Sequence, residues 1–371
     1  MPLDLLSLTL LGVASAMVAT RRLRSVADAI AAAAAVAVAI APPLACGPLA
    51  VVVVMAVAVS DRDRQLTGPP LAGQLVVLAI AAALSVLATL HLAAATSTAM
   101  AFEPWLERYT AGLLMQRASL LLFLAGLFAA GLWPLSTCWV AASKSDAAAT
   151  RSVLAVMLAA ALLHQADAVG RAGGIDRNEL LIWLATTTSL VMSLLAYAHT
   201  DVRTKVVCLL ASQVGWLLPL SRVSIAGEWL TLRLAATLLA TLVVSRIVEA
   251  AASRTGPDLA DAGGLASRDR PAATLLTVAM VGLVGPVPLL DPDAAGTIAA
   301  TSAVSSSLPL LLAIAGAITL VVAVQMVVQM LFGPASPESP GKDRRLLSGL
   351  EVPASTVLVA VVVLILFGSR I

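Results

Sequence analysis

Eleven consecutive residues, Val357–Phe367, carry no polar side chain, and apolar blocks of this kind recur along the whole chain. A helix on the surface of a soluble domain shows an i, i+3, i+4 apolar stripe with a polar face opposite. These blocks have no such face. In lipid there is no water to pair with the backbone, so every N–H and C=O must be satisfied within the protein, and only helices or a closed barrel can span. The blocks are rich in Ala and Leu, which favour helix, and they lack the residue-by-residue alternation of barrel strands. Only 12% of residues are charged, against roughly 25% in a soluble domain. The chain therefore reads as all-α, a polytopic transmembrane helix bundle forming a single domain over residues 1–371.

A hydrocarbon core about 30 Å thick needs roughly 20 helical residues. Spans are predicted at 3–19, 71–98, 109–133, 151–170, 179–198, 203–220, 228–250, 272–290, 309–332 and 353–368. Pro42-Pro43 divides 27–59 into two pieces, each short for a span, so this stretch is either two short helices or one broken one. The total is about eleven or twelve. Polar connectors separate the spans, and a long one, Ser253–Pro271, is rich in Gly, Asp and Arg and is expected to be flexible. Lys and Arg are spread over nearly every connector, so charge asymmetry gives no orientation. Met1-Pro2-Leu3-Asp4 lacks a basic leader, so the first apolar segment is expected to remain in the mature protein.

Other features exclude function classes. A net charge of +2 gives no nucleic-acid footprint. Cys46, Cys138 and Cys208 are far apart, and each lies in or beside an apolar block, which suits small buried hydrophobes. His91, His164 and His199 have no metal-ligand spacing. Glycine pairs such as Gly173-Gly174 lie in connectors without a strand–turn–helix context, so no nucleotide site is expected. No metal and no cofactor is implied.

Ionisable groups inside a span cost at least about 2.5–3.5 kcal/mol each, which makes them functional candidates. His164, Asp167 and Arg171 recur at i, i+3 and i+7 along one helical face. Imidazole beside carboxylate suits a proton relay; a helix end whose polar face meets the headgroups gives the same pattern. Asp201, Arg203 and Lys205 open a span, as either a titratable cluster or an acidic helix start with bases that snorkel to the interface. Arg233 lies about five residues inside 228–250, with Arg246 and Glu249 near the far end, and needs a carboxylate, a polar cavity or backbone carbonyls. Glu103, between Phe102 and Pro104-Trp105, fits a membrane boundary.

Four segments in order resemble the antiporter-like membrane subunits of respiratory complex I and of related multi-subunit cation/proton antiporters. Trp133-Pro134-Leu135-Ser136-Thr137-Cys138-Trp139, followed by Ser152-Val153-Leu154, is similar to the family's Pro-Leu-His-Thr-Trp turn and the Ser-x-Leu helix after it. Asp201-Val202-Arg203-Thr204, then Ser212-Gln213-Val214-Gly215-Trp216, keeps the spacing of the family's Asp-Leu-Lys-Arg and Ser-Gln-Leu-Gly-Tyr. Gly282-Leu283-Val284-Gly285-Pro286 resembles a Gly-Leu-Pro-Gly breakpoint in a discontinuous helix. Phe332-Gly333-Pro334 ends a long span before a polar connector and a last apolar helix. The resemblance covers about 110–368. It implies helices interrupted near Pro134 and near Gly285-Pro286, other membrane subunits of a respiratory or antiporter complex as partners beside the lipid bilayer, protons or monovalent cations as cargo, and a bacterial cytoplasmic membrane as location.

Several positions depart from the family pattern. Ala129 stands where the family has its first conducting lysine, and Arg233 and Thr237 fit best where it has a His-x-x-x-Lys pair. Asp291 is the nearest residue to the breakpoint glutamate, and two or three N-terminal helices of the usual fourteen have no counterpart. Arginine stays protonated at any working pH, so it cannot replace a lysine that gives up its proton. Three readings follow: a proton- or cation-conducting subunit, its conduction weakened or lost, that uses His164, Asp167, Lys205 and water, with Asp201 and Arg233 as further candidates beside the path; a non-conducting paralogue that docks in a membrane complex; or an unrelated secondary transporter with paired broken helices. Any redox chemistry would belong to partner subunits.

Overall fold

A computed structural model of the chain describes residues 5–19, 26–63, 69–98, 104–132, 134–143, 148–170, 178–223, 227–284, 302, 305–334 and 351–367. Apart from one isolated bridge, the regular structure among these residues is helical. The helices are α1 Leu5–Ala19, α2 Val26–Ile40, α3 Cys46–Asp63, α4 Pro69–Thr98, α5 Pro104–Ala130, α6 Ser136–Ala142 and α7 Ala148–Gly170. They continue as α8 Asn178–Ala198, α9 Val202–Val223, α10 Gly227–Thr255, α11 Leu265–Arg268, α12 Arg270–Val284, α13 Leu308–Phe332 and α14 Glu351–Phe367. Among the described residues, seven helices are long and apolar enough to cross a membrane, and four shorter apolar ones accompany them. The chain is an integral membrane helix bundle.

The helices group into two compact units. Most of 23–142 together with 151–177 forms the first, and most of 178–371 together with 143–150 forms the second.

In the first unit, 27–59 resolves into two helices. Proline supplies no N–H, and it disfavours helical backbone in the residue before it. So α2 stops at Ile40, Pro43–Ala45 makes a single 3₁₀ turn, and α3 starts at Cys46. At 1.5 Å per residue, the 15 residues of α2 reach only about 22 Å. Small residues let α3 and α4 approach closely. A Cβ on Gly47 would lie 2.6 Å from Thr89 Oγ1 and 2.8 Å from the Cα of Val86. The Gly47 N–H donates to that same Thr89 oxygen at 3.0 Å.

The interruption expected at Pro134 is present. Helix α5 ends at Ala130, Gly131 turns the chain with φ +60°, and α6 begins at Ser136. The turn is closed by Gly131 N–H donating to Phe128 O (3.0 Å), by Leu135 N–H to Leu132 O (2.8 Å), and by Thr137 Oγ1 to Pro134 O (2.9 Å). The Trp139 ring, 1% exposed, lies directly over Gly131. Helix α7 packs where Gly126 leaves room for Leu163, and Ser119 Oγ donates to the Ala166 carbonyl at 2.9 Å.

In the second unit, α10 is central, with 94% of its spanning window buried. It packs on α9, α12 and α14, while α8 packs on α9 and α13. Gly282 on α12 sits against Val362 of α14 and Ala240 of α10, where a larger residue would force these helices apart. Pro257 O accepts from Val202 N–H, and Leu259 N–H donates to Thr200 O, both at 3.0 Å, so the polar segment 253–271 pairs with the α8–α9 turn. Asp269 then accepts from the Ala272 N–H at 3.2 Å, at the start of α12. Helix α12 ends at Val284; Gly285, Pro286, Pro288, Asp291 and Pro292 lie outside the described residues, as do Glu103 and Arg171.

Candidate functional site

Three ionisable residues of the second unit, Asp201, Arg203 and Lys205, lie at the start of α9. Asp201 precedes the helix and accepts hydrogen bonds from the N–H groups of Arg203 (2.7 Å) and Thr204 (3.1 Å) through Oδ1. Those N–H groups have no carbonyl partner within the helix, and a carboxylate there also meets the positive end of the helix dipole. Asp201 is thus the N-cap of α9. Asp201→Ala removes that acceptor, and the second unit should lose about 1 kcal/mol of stability; denaturant unfolding of the detergent-solubilised chain measures it.

Lys205 comes one turn later and does not snorkel. It is 2% exposed, and its Nζ donates to the Ala196 carbonyl in the last turn of α8 at 2.9 Å. The last carbonyls of a helix lack intrahelical partners and carry its negative end, so an ammonium there is doubly favoured. A hydrogen bond from a charged donor contributes about 1.5–3 kcal/mol. Cys208, one turn on, is fully buried beside the apolar residues of α9.

A cavity of about 10 Å³ opens beside this helix start, room for roughly one water. Arg203, Glu249, Ser143 and Ser245 supply its polar lining, and Val206 and Val248 part of its apolar wall. Glu249 is 8% exposed. Ser143 Oγ and Thr204 Oγ1 share a hydrogen bond at 2.7 Å, which fixes the α9 start against the segment before α7.

Farther along α9, three buried hydroxyls meet. Ser212 Oγ lies 3.3 Å from Ser189 Oγ on α8 and 3.2 Å from Thr319 Oγ1 on α13. Ser212 also donates to the Ser189 carbonyl at 3.1 Å, and Thr319 to Ala315 at 2.8 Å. On α10, Thr237, Thr241 and Ser245 recur every four residues and are all buried, with Thr241 donating to the Thr237 carbonyl at 2.7 Å. Arg233, one turn before Thr237, is 3% exposed.

His164 and Asp167 belong to the first unit, on α7, and both are half-buried. Gln165 between them is more deeply buried, at 4% exposed. Ala129 closes the last turn of α5 and is fully buried. The structure thus brings Asp201 and Lys205 together on α9 and sets His164 and Asp167 in the other unit.

Sequence reading missed Gln165, Glu249 as a cavity wall and the Ser189–Ser212–Thr319 cluster. Local spacing gave no signal for that cluster, because its three hydroxyls come from three different helices.

No protein-family model and no curated protein sequence matches the chain. Solved structures share its fold. A chain of respiratory complex I from Thermus thermophilus is 17% identical with TM-score 0.68, over 99% of this chain and 82% of that one. A chain of the Mrp complex from Dietzia sp. DQ12-45-1b is 16% identical with TM-score 0.69, over 99% of this chain and 81% of that one. At these identities the likeness is one of fold.

Proposed function

We propose that the chain is an integral membrane subunit of a multisubunit complex of the respiratory or cation/proton antiporter kind, in a bacterial cytoplasmic membrane, and that proton transfer through it centres on Lys205. The observation that carries this reading is a lysine buried to 2% in the α8–α9 interface, with its Nζ on a helix-end carbonyl. An amine can pass a proton because it exists in two protonation states, which a guanidinium does not. The ammonium gives its proton to an adjacent water, which carries it away as hydronium, and the neutral amine is reprotonated by a hydronium arriving from the other side, which leaves as water. The Arg203–Glu249 cavity supplies a water position beside the start of the same helix. Arg233 stays protonated and contributes a fixed positive charge. Thr237 and Thr241 offer hydroxyls to a hydrogen-bonded path but do not themselves store a proton.

The shared fold with chains of two membrane complexes supports other membrane subunits as partners. Protons, or monovalent cations exchanged against them, are the cargo this reading assigns, and lipid surrounds the exposed apolar faces. The buried Ala129 favours a second reading, a docking subunit that does not conduct, because the position resembling the family's first lysine carries no titratable group.

The test compares proton flux in proteoliposomes holding the native chain, Ala129→Lys and His164→Ala, each with the subunits that purify with it. Flux in the native protein that survives His164→Ala is the expected result. Flux abolished by His164→Ala moves the working centre to the first unit, and no flux in any of the three leaves the docking reading standing.

A further inference from the structure

Helix α2 ends at a pair of prolines, and that has a chemical consequence in the first unit. In a continuing helix, the N–H of residue 42 would pair with the carbonyl of Val38 and the N–H of residue 43 with that of Ala39. Pro42 and Pro43 have no N–H, so both carbonyls lose their partners. Gln165, from α7, meets them instead. Its Nε2 lies 3.0 Å from Val38 O, 3.2 Å from Ala39 O and 3.0 Å from Ala41 O. Gln165 is 4% exposed.

Three carbonyl oxygens converge on one amide nitrogen that has only two hydrogens. The set is therefore richer in acceptors than its occupant is in donors. It also lies at the C-terminal end of α2, where the helix dipole is negative. A half-turn about the last side-chain bond of Gln165 replaces Nε2 with Oε1 and presents a fourth oxygen.

We propose that the carbonyls of Val38, Ala39 and Ala41, with Gln165 Oε1, form a binding site for a dehydrated monovalent cation, which the Gln165 amide occupies when the ion is absent. All four ligands are neutral oxygens. Carbonyl sets of this kind replace the hydration shell of a monovalent ion, and none of the four ligands is a carboxylate of the kind that recurs in Ca²⁺ and Mg²⁺ sites. Unwound helix ends in membrane transporters present carbonyls in the same way. The ion enters as Gln165 rotates and leaves as the amide returns, so the two states differ by one side-chain rotation. The site is independent of Lys205 and stands or falls apart from the proton reading.

The test is equilibrium binding of ²²Na⁺ and ⁸⁶Rb⁺ to the full-length chain in a choline buffer, with unlabelled Na⁺, K⁺ and Ca²⁺ as competitors. The native chain should bind one ion saturably, displaced by Na⁺ or K⁺ and not by Ca²⁺. Gln165→Glu sets negative oxygens against the carbonyls and should tighten binding at least tenfold. Gln165→Lys supplies a built-in ammonium with three N–H groups for the three carbonyls, and it should abolish binding. If Gln165→Lys does not fold, native binding together with the gain in Gln165→Glu decides. No binding to the native chain, binding that appears only in Gln165→Glu, or native-like binding in a folded Gln165→Lys overturns the proposal.

Discussion

Gly131→Ala should destabilise the first unit by about 2–5 kcal/mol, while Gly12→Ala leaves stability unchanged or raises it by up to about 1 kcal/mol. The two substitutions add the same methyl group in opposite circumstances. Gly131 has φ +60°, where the new Cβ approaches the following carbonyl oxygen at a cost of roughly 1–2 kcal/mol. That Cβ would also point into the indole of Trp139, which is 1% exposed and has nowhere to move. Overpacking of a filled site adds about 1–3 kcal/mol. At Gly12, by contrast, no atom lies within 4 Å of an added Cβ, and the residue sits inside α1. Alanine there only removes the backbone entropy that glycine loses in a helix. Denaturant unfolding of the two variants in the same detergent reads the difference directly. Equal effects would mean that the break between α5 and α6 is not held by this turn.

The apolar blocks fixed the helices, because lipid leaves the backbone no other way to pair. The break between α5 and α6 falls where the resemblance implies one, near Pro134, and Pro42-Pro43 divides 27–59 into two helices. Asp201 was legible as a helix start from its position before Val202, and the structure gives it two backbone N–H groups. Lys205 was less legible. Its spacing fits a base that snorkels, and only the packing of α8 against α9 shows that the side chain turns inward to Ala196.

Gln165 was invisible. It stands between His164 and Asp167, which carry the ionisable chemistry that draws attention, and its partners lie 124 to 127 positions earlier in the chain. No local pattern encodes such a contact. The Ser212–Thr319 pair, 107 positions apart, was hidden for the same reason. The missing lysine at Ala129 was plain from the sequence, but the cavity beside Arg203 and Glu249 exists only once three separate segments have packed.

Lys205→Arg should lower proton flux through the reconstituted protein at least tenfold, and this is the second large effect expected. Arginine keeps the positive charge and keeps N–H donors for the Ala196 carbonyl, so the α8–α9 contact and the local electrostatics are largely preserved. What it removes is the ability to release a proton, since its guanidinium stays charged at any working pH. A positioned proton-transfer group typically contributes about 10²–10⁴-fold, so a tenfold loss is a lenient threshold. Lys205→Met removes the charge as well and separates the two roles: it should also abolish flux, with a larger loss of stability because Ala196 then lacks its donor.

The most direct measurement is the rate of lumenal acidification in proteoliposomes under an imposed potential, with native protein, Lys205→Arg and Lys205→Met at matched folded content. A proton-carrying Lys205 predicts flux in the native protein and a loss of at least about tenfold in both variants. Native-level flux in Lys205→Arg would contradict it, because a group that never gives up its proton cannot be the one that carries it.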